Sequence, residues 1–369
     1  MKKIILLAIA IFLLFSPLSL NAQGGEEVVE EATFKARVIE ILESKKTTRE
    51  DGSISIQQKI KLRGLEDEWK DKEIIFDGTQ HDVISSPEYK EGYKVLVNSS
   101  LGMDGEENYY IIGYQRTGSI YWLALIFALV VIVIGRLKGL RALVVLLLTF
   151  FIILKFIIPE ILDGGNPLLI SIIGSLFILV LSIYITEGIK KSSTIAIISV
   201  LISLVVTGVI SVWFTTLTKL TGFASDEAMY LVGLAGGNVN IKGLLLAGII
   251  IGALGVLDDV VVSQVSLVKE LKEANPKLPK RLVYSQAMRV GISHLSSMVN
   301  TLFLAYAGAA LPLLILFSIK EPPFFSFHQV INNEIIATEI VRSLTGSIGL
   351  VLAVPIATLL AVHFVKSKE

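Results

Sequence analysis

The chain contains no cysteine, which excludes disulfide staples, thiolate metal sites and a lipid-modified cysteine anchor. Charge is scarce too. Asp, Glu, Lys and Arg make up 18% of the 369 residues and their formal sum is zero, so the chain as a whole offers no basic surface for nucleic acid. Several enzyme signatures are also missing: there is no Gly-x-Ser-x-Gly elbow, P-loop, dinucleotide fingerprint or His-Glu-x-x-His pair. What is abundant is apolar sequence, with 53% hydrophobic residues and a mean hydropathy of +0.70, the composition of an integral membrane protein with a polar portion attached.

The polar portion comes first. Met1-Lys2-Lys3, the apolar run from Ile4 to Phe15 and Leu20-Asn21-Ala22 have the parts of a secretory signal, so residues 1–22 are expected to be a signal peptide cut near Ala22. Residues 23–32 are Gly and Glu rich and read as a disordered leader. From there the period becomes two: Ile54, Ile56, Ile60 and Leu62 alternate with Ser53, Ser55, Gln57, Lys59 and Lys61. Similar runs are Phe34 to Leu42, Glu73 to Phe76, Tyr93 to Val97 and Tyr109 to Tyr114, parted by Asp51-Gly52, Asp77-Gly78 and Asp104-Gly105 turns. Residues 33–116 are therefore expected to form a small extracytoplasmic β domain, a barrel of the OB or SH3-like kind. Residues 23–119 hold 20 Asp/Glu against 13 Lys/Arg, an acidic balance that again argues against nucleic acid.

Residues 117–365 read as an α-helical polytopic membrane domain with about seven spans: 120–135, 142–158, 168–186, 194–217, 241–265, 288–316 and 336–364. With the β domain outside, Arg136-Leu137-Lys138, Lys190-Lys191, the Lys269 to Arg281 segment and the tail 366–369 all fall in the cytoplasm, as the positive-inside rule requires. The Lys269 to Arg281 segment has the pattern of an amphipathic helix on the inner leaflet, interrupted at Asn275-Pro276.

The fifth span carries the most informative residues. Its apolar run from Leu244 to Leu257 is 14 residues, too few to cross roughly 30 Å at 1.5 Å per residue, so the helix must continue through Asp258-Asp259. Each carboxylate costs at least about 2.5 kcal/mol at that depth, and residues tolerated at that cost usually line an ion or proton path, face a cavity or bind a partner, the structural alternative being an Asp that pins a neighbouring helix. Gly248, Gly252, Gly255, Asp259, Ser263 and Ser266 share one stripe, which predicts helix packing at the glycines and turns Asp259 toward other helices. In the sixth span His294, Ser297 and Thr301 share a face with Asn300 beside it, and His294 lies at about the same depth as Asp259, on the order of 10 Å from the inner end. Asp258, Asp259, His294, Asn300 and Thr301 are thus the candidate proton or ion relay. Glu339 and Arg342, three apart near the outer end of the last span, read first as an interfacial ion pair, with an outer gate as the alternative. An intramembrane aspartyl protease needs carboxylates from two helices, and two adjacent Asp do not complete a cation site, so neither catalytic residues nor a metal or cofactor is expected.

Asn238-Val239-Asn240-Ile241-Lys242-Gly243, Gly252-Ala253-Leu254-Gly255-Val256-Leu257-Asp258-Asp259-Val260, Ala274-Asn275-Pro276, Val299-Asn300-Thr301-Leu302 and Ala337-Thr338-Glu339-Ile340-Val341-Arg342 together resemble the YibE/F-like membrane proteins over most of residues 120–365. The Leu257 to Val262 stretch followed by Val299-Asn300-Thr301 is also similar to the membrane core of SecD and SecF, relatives of the RND transporters. That second resemblance implies that Asp259 matches the SecF-type aspartate, Asp258 the SecD-type one and Asn300 the Asn-Thr pair, with the last five spans RND-like and linked to use of a proton gradient. The chain departs from it in having Ser266-Leu267-Val268-Lys269-Glu270 in place of an Arg-Ile-Arg-Glu signature. The expected function is a proton-gradient-driven transporter or export factor using a membrane-embedded Asp. The alternative is a non-transporting scaffold whose outer β domain recruits protein partners. The lipid bilayer is the expected surrounding, and a homo-oligomer is compatible with the same features.

Overall fold

A computed structural model describes residues 32–48, 54–79, 87–101, 107–224, 226–234, 239–319 and 325–366. The expected signal peptide, almost all of the leader, the Asp51-Gly52 and Asp104-Gly105 turns, Asn238 and the end of the tail lie outside the described residues. The chain divides at Val130/Val131 into two compact units.

The first unit holds one antiparallel sheet of five strands: β1 (Ala32–Thr48), β2 (Ile54–Gly64), β3 (Glu73–Asp77), β4 (Lys94–Leu101) and β5 (Glu107–Tyr114), in the order β3-β2-β1-β4-β5. The long β1 pairs with β4 through its first half and with β2 through its second. Register shifts between Val38 and Glu40 and between Ile41 and Glu43 bend it, and β3 approaches β5, so the sheet curls into a half-barrel. Phe34, Val38, Ile60, Leu62, Trp69, Val95 and Val97 fill the concave side, with Phe34 stacked on Trp69 at 4.4 Å. The expected dry face of β2 needs one correction. Ile60 and Leu62 are buried, but Ile54 is 54% exposed and Ser55 is buried instead. The phase shifts at Gln57-Gln58, where the buried Gln58 amide pairs with the Tyr89 backbone, accepting from its N–H at 2.8 Å and donating to its carbonyl at 3.1 Å.

The second unit, from Val131, is helical, and the division falls inside its first helix. Helix α1 (Thr117–Ile152) is continued by a π-helical turn (Ile153–Ile157) and α2 (Ile158–Leu162), and is followed by α3 (Pro167–Glu187), α4 (Lys191–Leu217), α5 (Asp226–Leu234), α6 (Ile241–Ala274), α7 (Lys280–Ala309), α8 (Leu311–Ile319), α9 (Phe327–Asn332) and α10 (Glu334–Phe364). Arg136, at φ 51 and ψ −130, breaks α1. The chain doubles back there so tightly that a β-carbon on Gly139 would lie 2.1 Å from the Val131 carbonyl, which only glycine avoids. Among the described residues five helical stretches are long and apolar enough to cross a membrane, or six if α7 and α8, bent by 67°, count as one. With the break at Arg136, each of the seven runs read in the sequence has a helical counterpart.

Three sequence expectations change. The Lys269 to Arg281 segment is no separate surface helix, because α6 runs unbroken to Ala274 and buries Val268 completely. The sixth run is α7 and α8 set at an angle, starting at Lys280 after Pro279. A short helix, α5, lies where no element was read. At the centre α10 packs on α4, α6 and α7, and α6 packs on α3 and α4. Leu179, Ile183, Val200, Leu204, Ile250, Leu257, Val261 and Ala357 make the core between them.

Candidate functional site

The site is built on α6. Asn240 caps its start by accepting the Gly243 N–H at 2.9 Å, and Gly243 lets the first turn approach Pro167, whose Cδ would lie 3.0 Å from an added β-carbon. The packed face of the helix is its large aliphatic one: Ile250, Leu254, Leu257, Val261, Val265 and Val268 are all buried. Asp258 follows Leu257 on the flank of that face. One of its oxygens, Oδ2, accepts the Ser182 hydroxyl of α3 at 2.8 Å. The other, Oδ1, is buried and has no hydrogen-bond partner. Ser182 is fixed in turn because Thr186 donates to its carbonyl at 2.7 Å.

Asp259 points the other way. It is exposed, as are Gly248, Gly252, Gly255, Ser263 and Ser266 on the same stripe. The expected packing of these glycines against other helices of the chain is absent: Gly248 and Gly255 have nothing within 4 Å of an added β-carbon, and Gly252 meets only the Tyr306 hydroxyl at 3.8 Å. His294 of α7 acts electrostatically on Asp259, but no ion pair within 4.0 Å joins them among the described residues. Asn300 and Thr301 are exposed further along α7, and the Thr301 hydroxyl donates to its own helix at the Ser297 carbonyl, 3.0 Å away. Of the five relay candidates the structure therefore sets Asp258 between α6 and α3 and brings Asp259 and His294 into electrostatic range, and among the described residues no hydrogen bond or ion pair joins Asn300 or Thr301 to them.

A polar cavity of about 280 Å³ opens one helical turn beyond the pair, at Val262, and beside Ser182, at Ile183. Glu187 lines it and acts electrostatically on Asp258. At the other end of the helices Glu339 and Arg342 form the expected ion pair at 2.6 Å, each side chain about one-third exposed. Glu339 also borders an apolar cavity of about 300 Å³ between α7, α8 and α10 that includes Phe303, Tyr306 and Leu314.

Four features were missed by the sequence reading. Ser199, Ser203, Thr207, Ser211 and Thr215 recur every four residues along α4 and are all fully buried; the first four donate to the carbonyl one turn earlier. Their constant spacing was the available signal. Gln264 is 4% exposed and its amide donates to the Ala287 carbonyl at 2.9 Å and the Thr358 hydroxyl at 2.7 Å, tying α6 to α7 and α10. The Lys272 ammonium donates to the carbonyls of Val362 and Val365, at 2.8 and 2.6 Å, at the end of α10. Glu334 opens α10 and accepts the Thr221 and Gly222 N–H groups at 2.7 and 3.0 Å. No sequence signal marks the last three, because each depends on a partner far along the chain.

A family model described as YibE/F-like protein matches residues 123–367, which takes in both cavities and every residue of the site. No curated protein and no solved structure matches the chain.

Proposed function

The chain belongs to the YibE/F-like family, and from its Asp258-Asp259 pair we propose that it is a multi-pass membrane protein that couples proton movement to transport or export. The observation that carries this reading is the state of Asp258: Ser182 holds one carboxyl oxygen and the other is buried without a partner. A buried polar atom left unpaired is costly, and a carboxyl group at such a place exchanges a proton with whatever water or side chain reaches it. The polar cavity one turn away supplies a route from the helix ends, with Glu187 between. Asp259 and His294, on the exposed side of α6, form the second half of the relay, a carboxylate and an imidazole in electrostatic range.

The helices with long apolar stretches insert in the cell membrane, with the Lys269 to Arg281 segment in the cytoplasm and the half-barrel outside, because the basic loops share one side. The half-barrel is OB-like: β1 pairs with both β2 and β4, and β3 approaches β5, the pairing of a five-stranded Greek-key barrel.

Asp258→Asn keeps the Ser182 partner and removes the titration. Reconstituted in vesicles with an imposed pH gradient and a lumenal pH dye, the variant should dissipate the gradient at a tenth or less of the wild-type rate, a loss of the order removal of a proton-transfer group produces. Asp259→Asn should leave part of it. If Asp258→Asn dissipates the gradient like wild type while Asp258→Leu fails to accumulate, Asp258 is a structural pin and the scaffold reading takes precedence.

A further inference from the structure

The polar cavity below the aspartate pair holds more charge than a proton route uses. Three lysines reach it from three separate segments: Lys138 just after the break in α1, Lys190 at the start of α4, and Lys269 from α6. Glu187 and Glu270 share the lining, yet among the described residues no carboxylate lies within 4.0 Å of the Lys138 or Lys190 ammonium, and the Lys269 pair with Glu273, outside the cavity, is long at 3.8 Å. The loop that presents Lys190 is held in shape. Gly188 sits at φ +87, and Ser193 donates to its carbonyl at 2.7 Å. Lys190 is the N-cap of α4 and supplies no side-chain hydrogen bond, so the first N–H groups of this 27-residue helix add partial positive charge at the same end.

We propose that this cavity binds a phosphate group. Three ammonium donors and a helix start, set against two carboxylates, leave a net positive site. A tetrahedral anion presents its oxygens in three dimensions to ammonium groups arriving from three directions, whereas a carboxylate presents its two in one plane. A volume of about 280 Å³ admits phosphate with several waters, or the headgroup of an anionic phospholipid entering from the inner leaflet. The two glutamates limit the charge that the site accepts. Its lining comes from α3, α4, α6 and the Lys138 turn, so an occupied site braces α3 against α6, the two helices that share Asp258. The lipid source of the phosphate rests on the membrane reading given above; the free phosphate source does not.

The test uses the purified full-length protein with two probes. Inorganic phosphate is titrated by calorimetry into the protein in detergent. Separately, the protein is taken through phosphatidylcholine vesicles with and without phosphatidylglycerol and examined by native mass spectrometry for one retained anionic lipid. Lys190→Gln/Lys269→Gln should weaken whichever probe binds by about tenfold or more, since it removes two of the three ammonium groups that line the cavity. Lys190→Arg/Lys269→Arg should restore binding, and Lys277→Gln, outside the cavity, should leave it unchanged. Glu270→Gln should tighten it by about two- to fivefold, since it removes a competing carboxylate. Binding of phosphate alone identifies a soluble phosphate-bearing ligand, and of the lipid alone a headgroup; both support the site. Binding of neither probe, or equal binding by the wild type and the folded double Gln variant, overturns the proposal whether or not Asp258 moves protons.

Discussion

At Gly349 the missing side chain is set by one contact: a β-carbon there would lie 1.9 Å from Thr207 Oγ1 and 3.0 Å from Thr207 Cβ, where α10 meets α4. Gly349→Ala should therefore destabilise the protein by about 1–3 kcal/mol, the usual cost of overpacking, read as a lower thermal midpoint in detergent. Thr207→Ala removes the nearest atom, so the double variant should recover part of the loss; strictly additive effects would show that close approach is not the cause. Legibility at this scale is uneven. The Asp pair stands out in the sequence because two carboxylates interrupt an apolar run, but which of them is buried does not. Small residues at helical spacing predict the packed face of α6 and so turn Asp259 toward it. In the fold Leu254, Leu257 and Val261 make the packing, the glycine stripe is open, and Asp258 is the residue held between helices.

Helices were the most readable elements, since hydropathy over some twenty residues is a strong signal, and their ends and contacts were the least. The α4 hydroxyls show why. Four of the five satisfy a carbonyl of their own helix, so the helix can bury most of a polar row at close range to α10 with its hydroxyls paired, Thr215 excepted, and a hydropathy profile registers only a slightly weaker span. The end of α6 shows the same limit. Leu267, Val268 and Leu271 alternating with lysines have a surface helix pattern, but the helix continues and Lys272 reaches the last carbonyls of α10. A cation at a helix C-terminus with direct hydrogen bonds should contribute about 1–2 kcal/mol. Lys272→Met is accordingly expected to lower the thermal midpoint and to speed proteolytic cutting after Ala361, with Lys272→Arg closer to wild type. If Lys272→Met melts and cuts like wild type, the contact does not hold the end of α10.

Over the whole molecule the division into two units was legible from the change of period, two in the strands and 3.6 in the helices, and each unit has its own apolar core. Residues 32–116 bury Phe34, Ile60, Leu62 and Trp69 among themselves, so that segment alone should melt cooperatively with a β-type circular dichroism spectrum. Its stability should also depend on acid. Asp77 accepts from the Thr79 hydroxyl at 2.5 Å and its N–H at 3.1 Å and pairs with Lys59 at 2.9 Å, and these contacts hold its carboxyl down to about 2. Lys35 lowers Glu66, and Lys61 with Arg63 lowers Glu73, in the same direction. A carboxyl depressed in the folded state contributes stability above its unfolded value, near 3.9 for Asp, and loses that contribution as pH falls through the folded value. The midpoint of residues 32–116 should thus be level from pH 7 to about 5 and fall toward pH 2. Asp77→Asn should start lower at pH 7 and fall less, since it removes the group with the largest depression. If wild type and Asp77→Asn lose their midpoints in parallel across that window, the Thr79 and Lys59 contacts are not the source of the acid sensitivity, and Glu66 and Glu73 carry it.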